Sequence, residues 1–161
     1  MGLDQYIYKI KREEKKYYRK FNALHNYMVQ KKNGGEEINC KPVTLQKEDF
    51  EELKRITGEC LDVIMPEKWR KKEWDIDFDE YQEGYDYLTL SDGKGTETST
   101  KVTNAFKNKV AELFPPVGGF FFGSTDVDGF FVLSLYDLYE DVCDILKDYE
   151  PGDEYAYDAW W

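Results

Sequence analysis

His25 is the only histidine among 161 residues, and the polar groups around it are of the kind that line ligand sites. At helical spacing Asn22 lies one turn before it, with Arg19 and Asn26 alongside. Arg19, Asn22, His25 and Asn26 would then form one polar cluster able to face a pocket. A hydrolase built there would use His25 as its base and Cys40 as the thiol to be activated. The same two side chains are alternatively two ligands of a metal. The plain reading is a structural histidine, the commoner fate of a lone histidine on a helix.

Other fragments carry less chemistry. Asp75-x-Asp77-x-Asp79 has the spacing of a calcium loop, but Glu80 stands where that loop needs glycine, and Ile76 and Phe78 are apolar where such loops are polar. Asp126-x-Asp128-Gly129 is too short a fragment to count. Gly118-Gly119 to Gly123-Ser124 lacks the lysine of a phosphate-binding loop. Cys40, Cys60 and Cys143 are too few for a four-cysteine zinc site, and their wide spacing fits reduced thiols in a reducing compartment. Neither a metal nor a cofactor is expected.

The charge is polarised along the chain. Of the net −11, ten units fall between Phe120 and Trp161, where eleven carboxylates face one base, Lys147. Such a surface repels nucleic acid and membranes and attracts basic grooves. No stretch approaches the roughly 20 apolar residues of a membrane span. The amino terminus has no basic segment leading into an apolar run, so a cytosolic protein is expected.

The elements that must position these groups follow from hydrophobic period. Leu3, Tyr6, Ile7, Tyr8 and Ile10 predict a first strand. Tyr17, Phe21, Leu24 and Met28 predict a helix over residues 16–32, stopped by Asn33-Gly34-Gly35. Pro42 to Leu45 reads as extended. Phe50, Leu53, Ile56, Cys60 and Ile64 form the buried stripe of a second helix ending at Pro66. Strict alternation in Trp74 to Asp79, then Tyr85 to Leu90, predicts a hairpin. The polar run Ser91 to Thr100 reads as a loop or turn. A third helix over 103–114 stops at Pro115-Pro116. Phe120-Phe121-Phe122, framed by glycines, reads as a buried strand. In the last helix Leu135, Leu138, Val142, Ile145 and Tyr149 share one face. The expectation is an α+β fold with a small antiparallel or mixed sheet, covered by about four helices. It comprises one domain over 1–150 with an acidic hairpin region at about 66–112, and an acidic-aromatic tail at 151–161.

The opposite face of the last helix holds Asp137, Glu140, Asp141, Asp144 and Asp148. Five carboxylates over twelve residues span about 16 Å, or one charge every ~4 Å, against ~3.4 Å per phosphate along one DNA strand. Like charges at spacings of four cost roughly 0.2–0.5 kcal/mol per pair, and acids in the final turn oppose the helix dipole. A purely solvated face would usually interleave lysines. Asp75, Asp77 and Asp79, recurring every ~6.6–6.8 Å on one strand face, add a second anionic surface.

Further motifs carry a family likeness. Met1-Gly2-Leu3-Asp4 is followed by Tyr18-Arg19-Lys20-x-Asn22-Ala23-Leu24-His25-Asn26-Tyr27, then by Phe114-Pro115-Pro116 and Gly119-Phe120-Phe121-Phe122-Gly123. The chain resembles a family of small phage and prophage proteins that begin MGLDMYL, carry a WRKxNAIHxW helix and have a GFFFG strand before a last helix. The likeness covers about residues 1–65 and 113–149. Tyr18 and Tyr27 stand in place of the tryptophans and Gln5 in place of methionine, and Val127-Asp128-Gly129-Phe130-Phe131 takes the place of YDEWY. The resemblance implies a phage setting and no particular activity. With the acidic faces, it leads to the expectation of an antidefence protein in the host bacterial cytosol. The expected protein is most concretely an anti-CRISPR that acts as a stoichiometric blocker, so no enzyme activity is expected of it. It would bind no nucleic acid itself and would block a basic nucleic-acid-binding partner such as a CRISPR effector nuclease by DNA mimicry. The alternative expectation is a small-ligand protein or hydrolase around Arg19, Asn22 and His25.

Overall fold

A computed structural model describes residues 2–10, 15–65, 75–78, 87–91, 94–95 and 97–161. Its elements are β1 (Asp4–Lys9), β2 (Lys15–Arg19), α1 (Asn22–Lys32), β3 (Val43–Leu45), α2 (Lys47–Ile64), β4 (Asp75–Phe78), β5 (Tyr87–Ser91), β6 (Glu97–Lys101), α3 (Asn104–Leu113), α4 (Gly129–Asp148) and β7 (Tyr155–Trp160). The fold is α+β. One antiparallel sheet has the order β2-β1-β7-β3 and a second has the order β4-β5-β6.

The second, third and last helices form where the apolar period predicts them. In α2 the stripe Phe50, Leu53, Ile56, Cys60 and Ile64 is buried, and Gln46 N–H donates to Asp49 Oδ2 at 2.6 Å, closing the first turn. Thr103 and Asp128 cap α3 and α4 by accepting from the N–H groups of Phe106 and Phe131. The stripe Leu135, Leu138, Val142 and Ile145 of α4 is buried and packs against α2. One apolar core joins these helices to the inward residues of β1, β3 and β7.

Four expectations change. The helix predicted from residue 16 starts at Asn22. Tyr17 and Tyr18 pair with Tyr6 and Gln5 in β2, and Lys20, at a φ of 54°, turns the chain between strand and helix. The triple-phenylalanine segment is a loop: Phe121 O accepts from Leu3 N–H at 3.0 Å, and Phe120 is 96% exposed. The segment after Pro151, expected as a tail, forms β7 between β1 and β3, where Tyr155, Tyr157 and Ala159 alternate inward and are buried. The acidic hairpin β4–β5 does form, but β6 extends it into a second sheet, where one small sheet was expected. Part of the run expected as a polar loop is therefore strand.

Candidate functional site

The five acids of the last helix lie on one stripe. At 3.6 residues per turn, Asp137, Glu140, Asp141, Asp144 and Asp148 fall within about 100° of arc, opposite the buried stripe of α4. The carbonyl ladder of a 20-residue helix fixes their spacing, and packing on α2 fixes which way they face.

The ridge is not uniform. At its amino-terminal half it borders β2. Tyr18 O–H donates to Asp141 Oδ2 at 2.7 Å, and Lys16 Nζ stands 3.3 Å from Asp141 Oδ1. Burial, followed by the charge and hydrogen bond of Asp141, holds the Tyr18 hydroxyl well above its ordinary pKa. Tyr136 O–H donates to Glu140 Oε1 at 2.6 Å. A half-open groove of about 260 Å³ runs between the two elements, lined by Tyr17, Tyr18, Arg19 and Phe21 on one side and Ser134, Asp137, Glu140 and Asp141 on the other. Asp137 is exposed as a residue, yet its carboxyl is crowded in this groove. Desolvation first, then Asp141 and Glu140, push its pKa up to about 6. Asp144 and Asp148 are exposed, and among the described residues no base pairs with either.

The anionic ridge therefore has two parts. Asp141 is partly neutralised by Lys16 and serves the fold. Asp144 and Asp148 are exposed and, among the described residues, unpaired. Of the second acidic surface, Asp75 and Asp77 lie in β4, paired with Ser91 and Thr89; Asp79 lies outside the described residues. A paired strand is not the turn that wraps a calcium ion.

The polar cluster of the first helix is taken apart by the fold. His25 is fully buried. A chain of hydrogen bonds runs to it from β1: Phe21 N–H donates to Gln5 Oε1 at 3.0 Å, and Gln5 Nε2 donates to Phe21 O and to Tyr157 Oη at 3.1 and 3.0 Å. Tyr157 Oη lies 2.8 Å from His25 Nδ1, and His25 Nε2 lies 3.5 Å from Glu37 Oε2. Since Tyr157 Oη already accepts from Gln5, its own proton is best placed on Nδ1, which assigns the ring the neutral Nε2–H tautomer. Burial lowers the pKa of His25, against the pull of Glu37. The edges of Phe122 and Trp161 close over the ring, with centres 5.1 Å away.

Asn22 is spent on the loop. Its Nδ2 donates to Phe122 O and Ser124 O at 3.1 and 2.8 Å, and its Oδ1 accepts from Val117 N–H at 3.3 Å. Asn26 Nδ2 donates to Pro115 O at 3.0 Å. Arg19 is exposed and lines the groove beside α4. It shares a second cavity with Asn22, whereas Asn26 faces a different one. The four side chains do not meet in one pocket, because helix period places two of them on the loop and one in the core. Cys40 is exposed, and its thiol donates to Asn39 Oδ1 rather than to His25.

Sequence reasoning missed Gln5, Tyr157 and Glu37 as partners of His25. One signal was present: Gln5 is polar at an inward position of a strand whose next inward residue is Ile7, and a buried amide must find partners. Among the described residues no three or more His, Cys, Asp and Glu side chains gather as a metal site, and no helix is long and apolar enough to cross a membrane. Comparison with known proteins finds no matching family model, no matching curated protein and no matching solved structure.

Proposed function

We propose that this chain is a binding protein, and that the exposed ridge of α4 occupies the basic, nucleic-acid-binding cleft of a protein partner. The observation that carries the reading is the shared stripe of Asp137, Glu140, Asp144 and Asp148, with Asp144 and Asp148 unpaired among the described residues. A rigid helix holding carboxylates at ~4 Å intervals offers arginines and lysines the charge density of a phosphate strand. Electrostatic steering would then speed its association with such a cleft, and salt would slow it. Together with the phage-family likeness, the reading is antidefence in the host bacterial cytosol, with a CRISPR effector nuclease as the partner class. The hydrolase alternative loses its base, since His25 is fully buried and hydrogen-bonded.

The experiment is competition. Guide-loaded effector nucleases are titrated with the chain, and target DNA binding is measured at two salt concentrations. Inhibition that weakens at high salt, and drops tenfold or more in an Asp144→Lys, Asp148→Lys double variant, is the expected result. Both positions are exposed, so folding is not at stake. Equal inhibition by the variant, or none by the native chain, overturns the reading.

A further inference from the structure

Strand alternation turns Gln5, Ile7 and Lys9 of β1 inward and Tyr6 and Tyr8 outward. In β7 it turns Tyr155, Tyr157 and Ala159 inward and Asp158 and Trp160 outward, with Tyr6 opposite Asp158. The outward side chains build an aromatic surface. Trp160 stacks on Tyr6 with ring centres 4.6 Å apart and planes within 18°, and Tyr17 of β2 continues the row 5.1 Å from Tyr6. Beside this row Tyr6, Tyr8, Asp158 and Trp160 line an open cavity of about 470 Å³.

Among the described residues no cation pairs with the carboxylate in that cavity. Asp158 Oδ1 accepts from Ala159 N–H at 2.9 Å, and no base reaches it among the described residues. Partial burial, then the Asp158 charge, raise the pKa of the neighbouring Tyr8 hydroxyl. Ring faces and a carboxylate all present negative potential, which is the complement of a cation.

The inner side of the same strand pair shows that arrangement filled. Lys9, opposite Tyr155 in the ladder, places Nζ 2.7 Å from Asp153 and 5.9 Å from the centre of the Tyr155 ring. On the outer side the rings and the acid stand without an ammonium among the described residues.

We propose that Tyr6, Tyr8, Trp160 and Asp158 receive the guanidinium of an arginine carried by a protein partner. A planar guanidinium stacks on a ring while its fork donates to a carboxylate, two contacts that a compact ammonium does not combine. The occupant is part of a larger surface, because the aromatic row runs on beyond the cavity to Tyr17, which is 51% exposed. Tyr17 also lines the groove beside α4, but none of the four residues of this cavity does, so the guanidinium site itself is distinct from the acidic ridge and stands without it.

The test is an NMR titration of the full chain with the peptide acetyl-Gly-Arg-Gly-amide, following the indole N–H of Trp160, assigned through a Trp160→Phe variant. A saturable shift is expected, weakened roughly tenfold when arginine is replaced by its neutral isostere citrulline, and weakened similarly in an Asp158→Asn chain. The ring signals of His25 and Tyr157, on the inner side, report that the fold is intact. Should Asp158→Asn disturb them, Tyr8→Leu, which removes an outward ring, carries the same test. Equal binding of the citrulline peptide, insensitivity to these variants, tighter binding of free tetramethylammonium at the same signal, or no shift with the arginine peptide each overturns the proposal.

Discussion

The hydroxyl of Tyr157 in the last strand lies 2.8 Å from Nδ1 of His25 in the first helix, across 132 residues of chain, and neither side chain meets solvent. The bond ties the two ends of the chain together inside the core. Removing the hydroxyl with Tyr157→Phe leaves Gln5 and His25 with an unmet donor and acceptor, for a cost of about 1–3 kcal/mol. His25→Ala opens a cavity as well and costs about 2–4 kcal/mol. The double variant should lose about 1 kcal/mol less than the sum. Urea unfolding of the four proteins measures the cycle, and strictly additive losses would show that the pair shares no energy.

Acid should loosen the fold through the same residue. Burial lowers the folded pKa of His25, while the unfolded chain takes up its proton near 6.5. Between these two values the unfolded state binds more protons, so stability rises with pH across that window and falls on acidification from pH 7. A His25→Gln chain, measured by the same unfolding assay at pH 7 and pH 5.5, should lack this component.

Asp137 acts with the opposite sign. Its folded pKa is pushed from 3.8 up to about 6, so the folded state holds the proton more firmly. The stability this group contributes is present below 3.8 and is lost as pH rises through 6. Asp137→Asn should therefore stabilise the protein at pH 7, by about 1 kcal/mol once solvent screening is allowed for. The gain should vanish below the unfolded carboxyl value. Thermal melts at pH 3.5 and pH 7 decide it; a variant no more stable than the native chain at pH 7 contradicts the crowding of the groove.

Deleting residues 155–161 tests the place of the last strand. The deletion strips β1 and β3 of their shared partner and exposes the space filled by Tyr155, Tyr157 and Ala159. Loss of a cooperative thermal transition is expected, read by circular dichroism. A dispensable docking peptide at this end would leave the transition in place.

The sequence by itself determined the α+β class and the helices, because helix period is a property of near neighbours. Leu135, Leu138, Val142 and Ile145 recur at three and four, and whatever core exists must receive them. The same period placed Asp137, Asp141, Asp144 and Asp148 on the solvent stripe. What only the tertiary structure decided was where partners lie that are far along the chain. The aromatic end Tyr155 to Trp160 has a strand's alternation, but its reading as tail or strand turned on the free edges of β1 and β3, some 110 to 150 residues earlier. Gly119 to Gly123 has the composition of a strand, yet Asn22 and Leu3 take up backbone groups of this segment, so no ladder forms. His25 was legible as a polar residue on a helix; that it is a buried link between Tyr157 and Glu37 depends on a hydroxyl brought to it by the last strand. Side-chain chemistry is written locally, whereas which group meets which is settled only when the core closes.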